Sequence, residues 1–121
     1  MNNGSHIIRE IVDRIYKRES IAFRDLRNLY LSYMNFSGSD LRGVNFEGCR
    51  LSHANMDSCD LTKANLSNSL LINASFNNAN VTGAKFHGAI VAGASFEGTT
   101  GIDVTLKRYL IAKGARGLSE L

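Results

Sequence analysis

From Leu31 to Phe96 every fifth residue is a large apolar one: Leu31, Phe36, Leu41, Phe46, Leu51, Met56, Leu61, Leu66, Leu71, Phe76, Val81, Phe86, Val91 and Phe96. The residue two places before each of them is usually small. A period of five fits neither the 3.6-residue turn of a helix nor the two-residue alternation of a strand. It requires a repeat architecture in which each five-residue unit turns one corner and sends one side chain inward. A body built that way has regular outer faces and few places in which to assemble a catalytic pocket.

The 121 residues suit one domain. Net charge is +3, with six Lys/Arg against four Asp/Glu in residues 1–30, four against five in 31–98, and four against two in 99–121. The repeat body is therefore near neutral, and the basic excess lies at the two ends, too small to read as a nucleic-acid stripe. Cys49 and Cys59 both fall at the small place of their units, which reads as buried reduced thiols rather than a disulfide or redox pair. No apolar run reaches the ~20 residues of a membrane span and no secretory leader is evident, so a soluble, cytoplasmic protein is expected. Proline is absent, which suits stacked layers whose backbone N–H groups are all needed for pairing.

Three segments are expected. Residues 1–28 hold an amphipathic helix over 5–18 and a lead-in to the repeats; 29–98 are the repeat body; 99–121 hold a capping helix over 103–113 and a tail. Ser5 is placed to cap the first helix, and Ile7, Ile8, Ile11, Val12, Ile15 and Tyr16 form its apolar stripe. Glu10 with Arg14, and Asp13 with Lys17, stand four apart in the favourable order. Glu19 and Arg24 occupy places in the five-residue frame that ought to be small. Asp103 opens the second helix and Gly114 closes it. A stacked rod leaves unpaired backbone and an apolar cross-section at each end, so the two helices read most simply as caps.

Units such as VNFEG (44–48), ANLSN (64–68), ANVTG (79–83), AKFHG (84–88) and ASFEG (94–98) resemble the A(D/N)LXX consensus of the pentapeptide-repeat proteins over about 70 residues. The resemblance implies an all-β solenoid: a right-handed quadrilateral β-helix of 20-residue coils, four units each, here with flanking N- and C-terminal α-helices. It also implies a bacterial or phage origin. Phenylalanine anchors fall only on alternate units, which independently suits two opposite walls with larger side chains. The columns expected are Phe36, Met56, Phe76, Phe96 facing Phe46, Leu66, Phe86. Glycine recurs at the fifth place, where a tight corner favours positive φ.

Nothing in the pattern converges as a catalytic constellation. His6, His53 and His87 share no column, no phosphate-binding glycine loop is present, and no serine has a base placed beside it. Neither enzyme activity, cofactor nor metal is expected. Asp40 and Asp60 would stack and continue into Asn80 as a solvated ladder beside backbone amides.

One outer face departs from the rule. The place just before the anchor is polar on three faces but reads Tyr30, Arg50, Leu70, Ile90 on the fourth, and the place just after the anchor there reads Ser32, Ser52, Ile72, Ala92. Leu70, Ile72, Ile90 and Ala92 would form an outer apolar patch, with Arg50 and Tyr30 at its rim, and such a patch seldom stays wet. Three occupants compete: one of the chain's own helices folded back, a second copy in a symmetric dimer, or a partner protein. The reading preferred is a non-enzymatic protein-protein interaction module that uses this patch for self-association or partner binding. The alternative, implied by the family resemblance, is a short DNA-mimic inhibitor or protector of a topoisomerase-type enzyme. The near-neutral body and three and a half coils, about 17 Å at ~4.8 Å per layer, argue against mimicry of a long duplex and leave the short mimic as the alternative. Direct nucleic-acid binding is not expected, because no aromatic residues interleave with the few basic ones.

Overall fold

The computed structural model describes residues 4–119, so residues 1–3 and 120–121, the outer ends of the two flanking segments, lie outside the described residues. Parallel β-bridges join residues 20 apart: Asp25 to Asn45 to Asn65 to Lys85, Tyr30 to Arg50 to Leu70 to Ile90, Asn35 to Asn55 to Ser75 to Ser95, and Asp40 to Asp60 to Asn80 to Thr100. Four units therefore close one coil and each coil lies on the next. The strands are single bridges rather than extended ladders, because a corner intervenes every five residues. The corner geometry begins at Ile21, so residues 21–28, expected as a lead-in, are themselves part of the first coil. At its other end the body runs past 98 to Thr100. The chain then leaves for a helix and returns to lay Arg116 against Ser95.

The unit at 64–68 shows why the pattern works. Asn65 N–H donates to Val44 O at 2.9 Å in the coil before, while Leu66 N–H and Asn68 N–H donate to Lys85 O at 2.7 Å and His87 O at 2.8 Å in the coil after. Ala64 N–H closes the corner onto Leu61 O at 2.9 Å. Only the amide after the anchor finds no backbone acceptor, and Ser67 N–H donates instead to Asn65 Oδ1 at 3.0 Å. All five amides of this unit are satisfied, as buried and half-buried backbone requires. The fifth place is left-handed throughout, whether glycine as at Gly93 (φ 71) or not, as at Lys63 (φ 62) and Asn73 (φ 58).

Inside, the anchors form a closed apolar rod. Phe36, Phe46, Phe76 and Phe96 are buried, and Phe76 stacks on Phe96 with centroids 4.8 Å apart and planes within 2°. Across the rod, Phe36 meets Phe46 edge-on at 5.7 Å, and Phe86 meets Phe76 and Phe96 edge-on at 5.9 Å each. The small place narrows along the rod. Arg24, Leu29 and Met34 hold it in the first coil, whereas Ala64, Ala74 and Ala84 hold it further on. The long first-coil residues reach up to the helix above them.

That helix, α1, runs Ser5–Tyr16, and its N-cap is Gly4 (φ 82) rather than Ser5, which is the first helical residue. It lies on the open end of the first coil with Ile11 buried and Ile7, Ile8 and Ile15 packed against the core. Val12 and Tyr16, expected in the apolar stripe, are exposed instead, because one coil's cross-section offers a strip narrower than the helix's apolar arc. Glu10 explains the misplaced Arg24. Its carboxylate accepts from the Arg24 guanidinium at 2.7 and 3.0 Å and from Arg14 Nε at 2.9 Å, tying helix to coil. The expected Asp13–Lys17 pair is also present at 3.0 Å.

These contacts, Arg24 first and Arg14 second, hold the Glu10 carboxyl down from 4.5 to about 2. Because the folded value lies below the unfolded one, the stabilisation is complete above about pH 4.5 and fades as the pH falls toward 2. A carboxyl-carbon NMR titration of Glu10 is expected to give a midpoint well under 4, with protection of the α1 amides falling over the same range; a midpoint near 4.5 would show that the helix-to-coil tie does not form in solution.

The second helix, α2, runs Val104–Ala112, with Asp103 as N-cap accepting from Leu106 N–H at 2.8 Å. Leu110 is buried over the last coil, and Tyr109 Oη–H donates to Ala89 O at 3.0 Å. After Gly114 (φ 90), Gly93 N–H donates to Gly114 O and Phe96 N–H to Arg116 O, both at 2.9 Å, so the returning strand pairs part of the edge that the last coil would expose, around Gly93–Phe96. Among the described residues no helix is long and apolar enough to cross a membrane.

Candidate functional site: an apolar outer wall

On three walls most outward amides are closed by a side-chain oxygen, usually that of the polar residue before the anchor. Asn45 Oδ1 accepts from Glu47 N–H at 3.0 Å, Asn55 Oδ1 from Asp57 N–H at 2.9 Å and Asn80 Oδ1 from Thr82 N–H at 3.0 Å. Asp57 and Asn77 perform the same service one coil onward, for Asn77 N–H at 2.9 Å and Glu97 N–H at 3.0 Å, while also accepting from the hydroxyls of Ser75 and Ser95. Asp40 accepts from Arg42 N–H and its guanidinium, which with Ser20 holds the carboxyl well below its usual range. The Asp40, Asp60, Asn80 column is thus built of backbone acceptors, and its charge is partly answered by Arg42.

The fourth wall is different. Tyr30, Arg50, Leu70 and Ile90 stack in register along it, and none has an acceptor placed to close the amide two residues on. Ser32, Ser52, Ile72 and Ala92 accordingly keep their N–H groups without an acceptor among the described residues. The structure brings the six residues singled out in the sequence onto this one wall. Tyr30 is 45% exposed, Ile72 38% and Ile90 48%, while Leu70 is half-buried between its neighbours. Neither α1 nor α2 covers them, which removes the back-folded helix from the three occupants considered.

The wall has distinct ends. Arg50 lays its guanidinium over the Tyr30 ring at 4.1 Å, and Tyr33 stacks on His53 at the adjoining corner with centroids 4.7 Å apart. At the diagonally opposite corner, off this wall, Arg42 stands 5.9 Å from the Phe23 centroid. Aromatic and basic side chains do therefore interleave, contrary to the expectation from the linear sequence, because partners 20 apart in the chain are neighbours in space. At the other end a shallow cleft of about 270 Å³ separates Ile90 from Tyr109 and Lys113 of the α2 end.

Cys49 and Cys59 are buried free thiols that donate to Leu26 O at 2.8 Å and Phe36 O at 3.0 Å, and burial pushes both up to about 11. They lie on opposite walls, so they stand in the places that alanine holds in other units. Among the described residues no three His, Cys, Asp or Glu side chains gather in a metal-binding group.

Comparison with known proteins gives the repeat body its relatives. The family described as "Pentapeptide repeat region" matches residues 31–106. Among solved structures the chain is similar to Rfr23, a pentapeptide repeat protein from the cyanobacterium Cyanothece 51142, with 35% identity and a TM-score of 0.61 over 62% of this chain and 51% of that one. It thus spans about half the length of that relative. It shares the fold of alr5209, a pentapeptide repeat protein from Nostoc Pcc 7120, with 21% identity and a TM-score of 0.53 over 90% of this chain and 93% of that one. No curated protein sequence matches the chain. The matched residues are the coils themselves and the start of α2, well over half the chain, and on that ground the chain belongs to the pentapeptide-repeat family.

Proposed function

We propose that this chain is a non-enzymatic, cytoplasmic interaction module: a right-handed quadrilateral β-helix, capped at both ends, that works by burying its fourth wall against another protein surface. The observation that carries this reading is the in-register column Tyr30, Arg50, Leu70, Ile90, with Ile72 and Ala92 beside it, left uncovered by both flanking helices. Half of the exposed large apolar side chains among the described residues, counting Tyr33 at the corner, fall on this wall or its edge. Contiguous apolar surface of this kind marks interaction sites on otherwise soluble folds.

The alternative, mimicry of a DNA duplex toward a topoisomerase-type enzyme, has less behind it. Such a surface needs a dense anionic array, and here Asp25 pairs with Arg27 and Asp40 with Arg42 at 2.8 Å each. The wall is tested by Leu70→Asp with Ile90→Asp. Both positions point outward, so the circular-dichroism spectrum is expected to remain that of the native rod while association is lost, whether with a second copy, read by light scattering, or with a partner protein, read by affinity capture. Undiminished association in the double variant, or its unfolding, would overturn the reading.

A further inference from the structure

The fourth wall differs from the others in more than hydrophobicity. In the middle coils each unit has one amide that the stacking leaves over, the one just after the anchor, and on three walls a side-chain oxygen closes most amides at that place. On the fourth wall all four, at Ser32, Ser52, Ile72 and Ala92, remain as donors, one per rung at the ~4.8 Å spacing of stacked strands. Among the after-anchor amides of the other walls, only that of His87, which follows Lys85, shows the same lack; the other amides without an acceptor, such as Phe86 and Gly88, lie in the end coils, where a neighbouring coil is missing. Segments 30–33, 50–53, 70–73 and 90–93 contain no carboxylate, whereas every other wall carries at least one. Arg50 stands on this wall and Lys113 at its far end, and neither is in a salt bridge among the described residues.

Resting on the reading of this wall as the interaction surface, we infer that its occupant is an acidic, apolar protein segment whose carboxylates take the amide column and the Arg50 and Lys113 cations while its apolar side chains cover Leu70, Ile72 and Ile90. A second copy of the same wall is a poorer match. Face to face it sets donors and cations against donors and cations, with no carboxylate on either side to answer them, and buried donors without acceptors weigh against association. Carboxylates on backbone amides make the stronger, charge-assisted kind of hydrogen bond. The surface therefore discriminates by the sign of the partner's charge as well as by its hydrophobicity.

The test uses three blocked, fluorescein-labelled peptides with alternating leucine and aspartate, leucine and asparagine, or leucine and lysine, titrated with the intact protein by fluorescence anisotropy. The aspartate peptide is expected to bind roughly tenfold or more tightly than the lysine peptide, the difference that about 1.4 kcal/mol makes, with the asparagine peptide between them. Arg50→Ser should weaken the aspartate peptide and leave the asparagine peptide nearly unchanged. Leu70→Asn with Ile90→Asn supplies the acceptors that the other walls have, so it should keep the fold and abolish binding. Equal or tighter binding of the lysine peptide, lost in that double variant, would overturn the sign of the partner while keeping the wall as the interaction surface. Failure of all three peptides to bind would overturn the inference, and a dimer dissociated by the same variant would assign the wall to a second copy instead. Acidic-peptide binding that survives in the double variant would remove both the inference and the proposed function.

Discussion

Phe76→Ala is expected to cost about 3–5 kcal/mol of stability, the usual range for emptying a buried phenylalanine site. The ring is fully buried, stacked on Phe96 at 4.8 Å and edge-on to Phe86 at 5.9 Å, so its loss opens a hole bounded by two other rings that are held by the coils above and across. A rod of stacked coils relaxes poorly into such a hole, because each coil is pinned to the next by hydrogen bonds of 2.7–3.1 Å, such as Phe76 N–H to Ser95 O at 2.7 Å. Against a total stability of about 5–15 kcal/mol for a domain, this removes a large share. Urea unfolding followed by far-UV circular dichroism checks it, with His87→Ala, at an exposed outer position, as the control expected to change stability by under about 0.5 kcal/mol. A loss below about 1 kcal/mol for Phe76→Ala would mean that the column is loosely packed.

The ring columns were legible because the anchor's period and the coil's length are commensurate. Once four units make a coil, residues 20 apart must stack, and Phe76 over Phe96 follows from counting. The fourth wall was legible for the same reason, since Leu70 and Ile90 differ by 20 and break a polar rule that the other walls keep. The exposure of that wall was not. It depends on where α2 lands, and this is set by the turn at Gly101 and by Asp103, Leu110 and Tyr109 against the last coil, contacts with no periodic signature. The helix stripes were overread at Val12 and Tyr16 because amphipathicity reports which face is apolar and not how wide the surface beneath it is. The polar place before the anchor reads as solvated surface in sequence, yet its oxygen closes an amide that stacking leaves over. Counting donors per unit, four to backbone and one remaining, would have found that role, and with it the gap on the fourth wall.

Gly101→Ala is expected to release the C-terminal cap. Gly101 has φ 86, and a Cβ added there would lie 2.5 Å from Thr82 N and 2.7 Å from its Cα, besides meeting Thr82 Oγ1. Those are backbone atoms of a coil pinned to the one before it, with Lys63 N–H donating to Thr82 O at 2.8 Å, so the segment that must give way is the one leaving Thr100 for α2. Gly38 isolates the steric part: it too has positive φ, at 74, but nothing stands within 4 Å of its Cβ direction, and Ser58 and Asn78 beneath it hold side chains at the same place. Gly38→Ala should therefore cost only the left-handed conformation, about 1 kcal/mol, and Gly101→Ala at least about 2 kcal/mol more. The loss should be local, since Arg116 on the last coil and Leu110 over it both depend on the path through Gly101. Hydrogen exchange is expected to accelerate at Gly93 and Phe96, whose amides bond the returning strand, and trypsin to cut after Lys107 or Arg108, while Leu51 and Leu61 in the middle coils keep their protection. Equal effects at the two glycines would show that the clash with Thr82 is relieved at no cost, and uniform acceleration along the rod would show that cap and coils unfold as one unit.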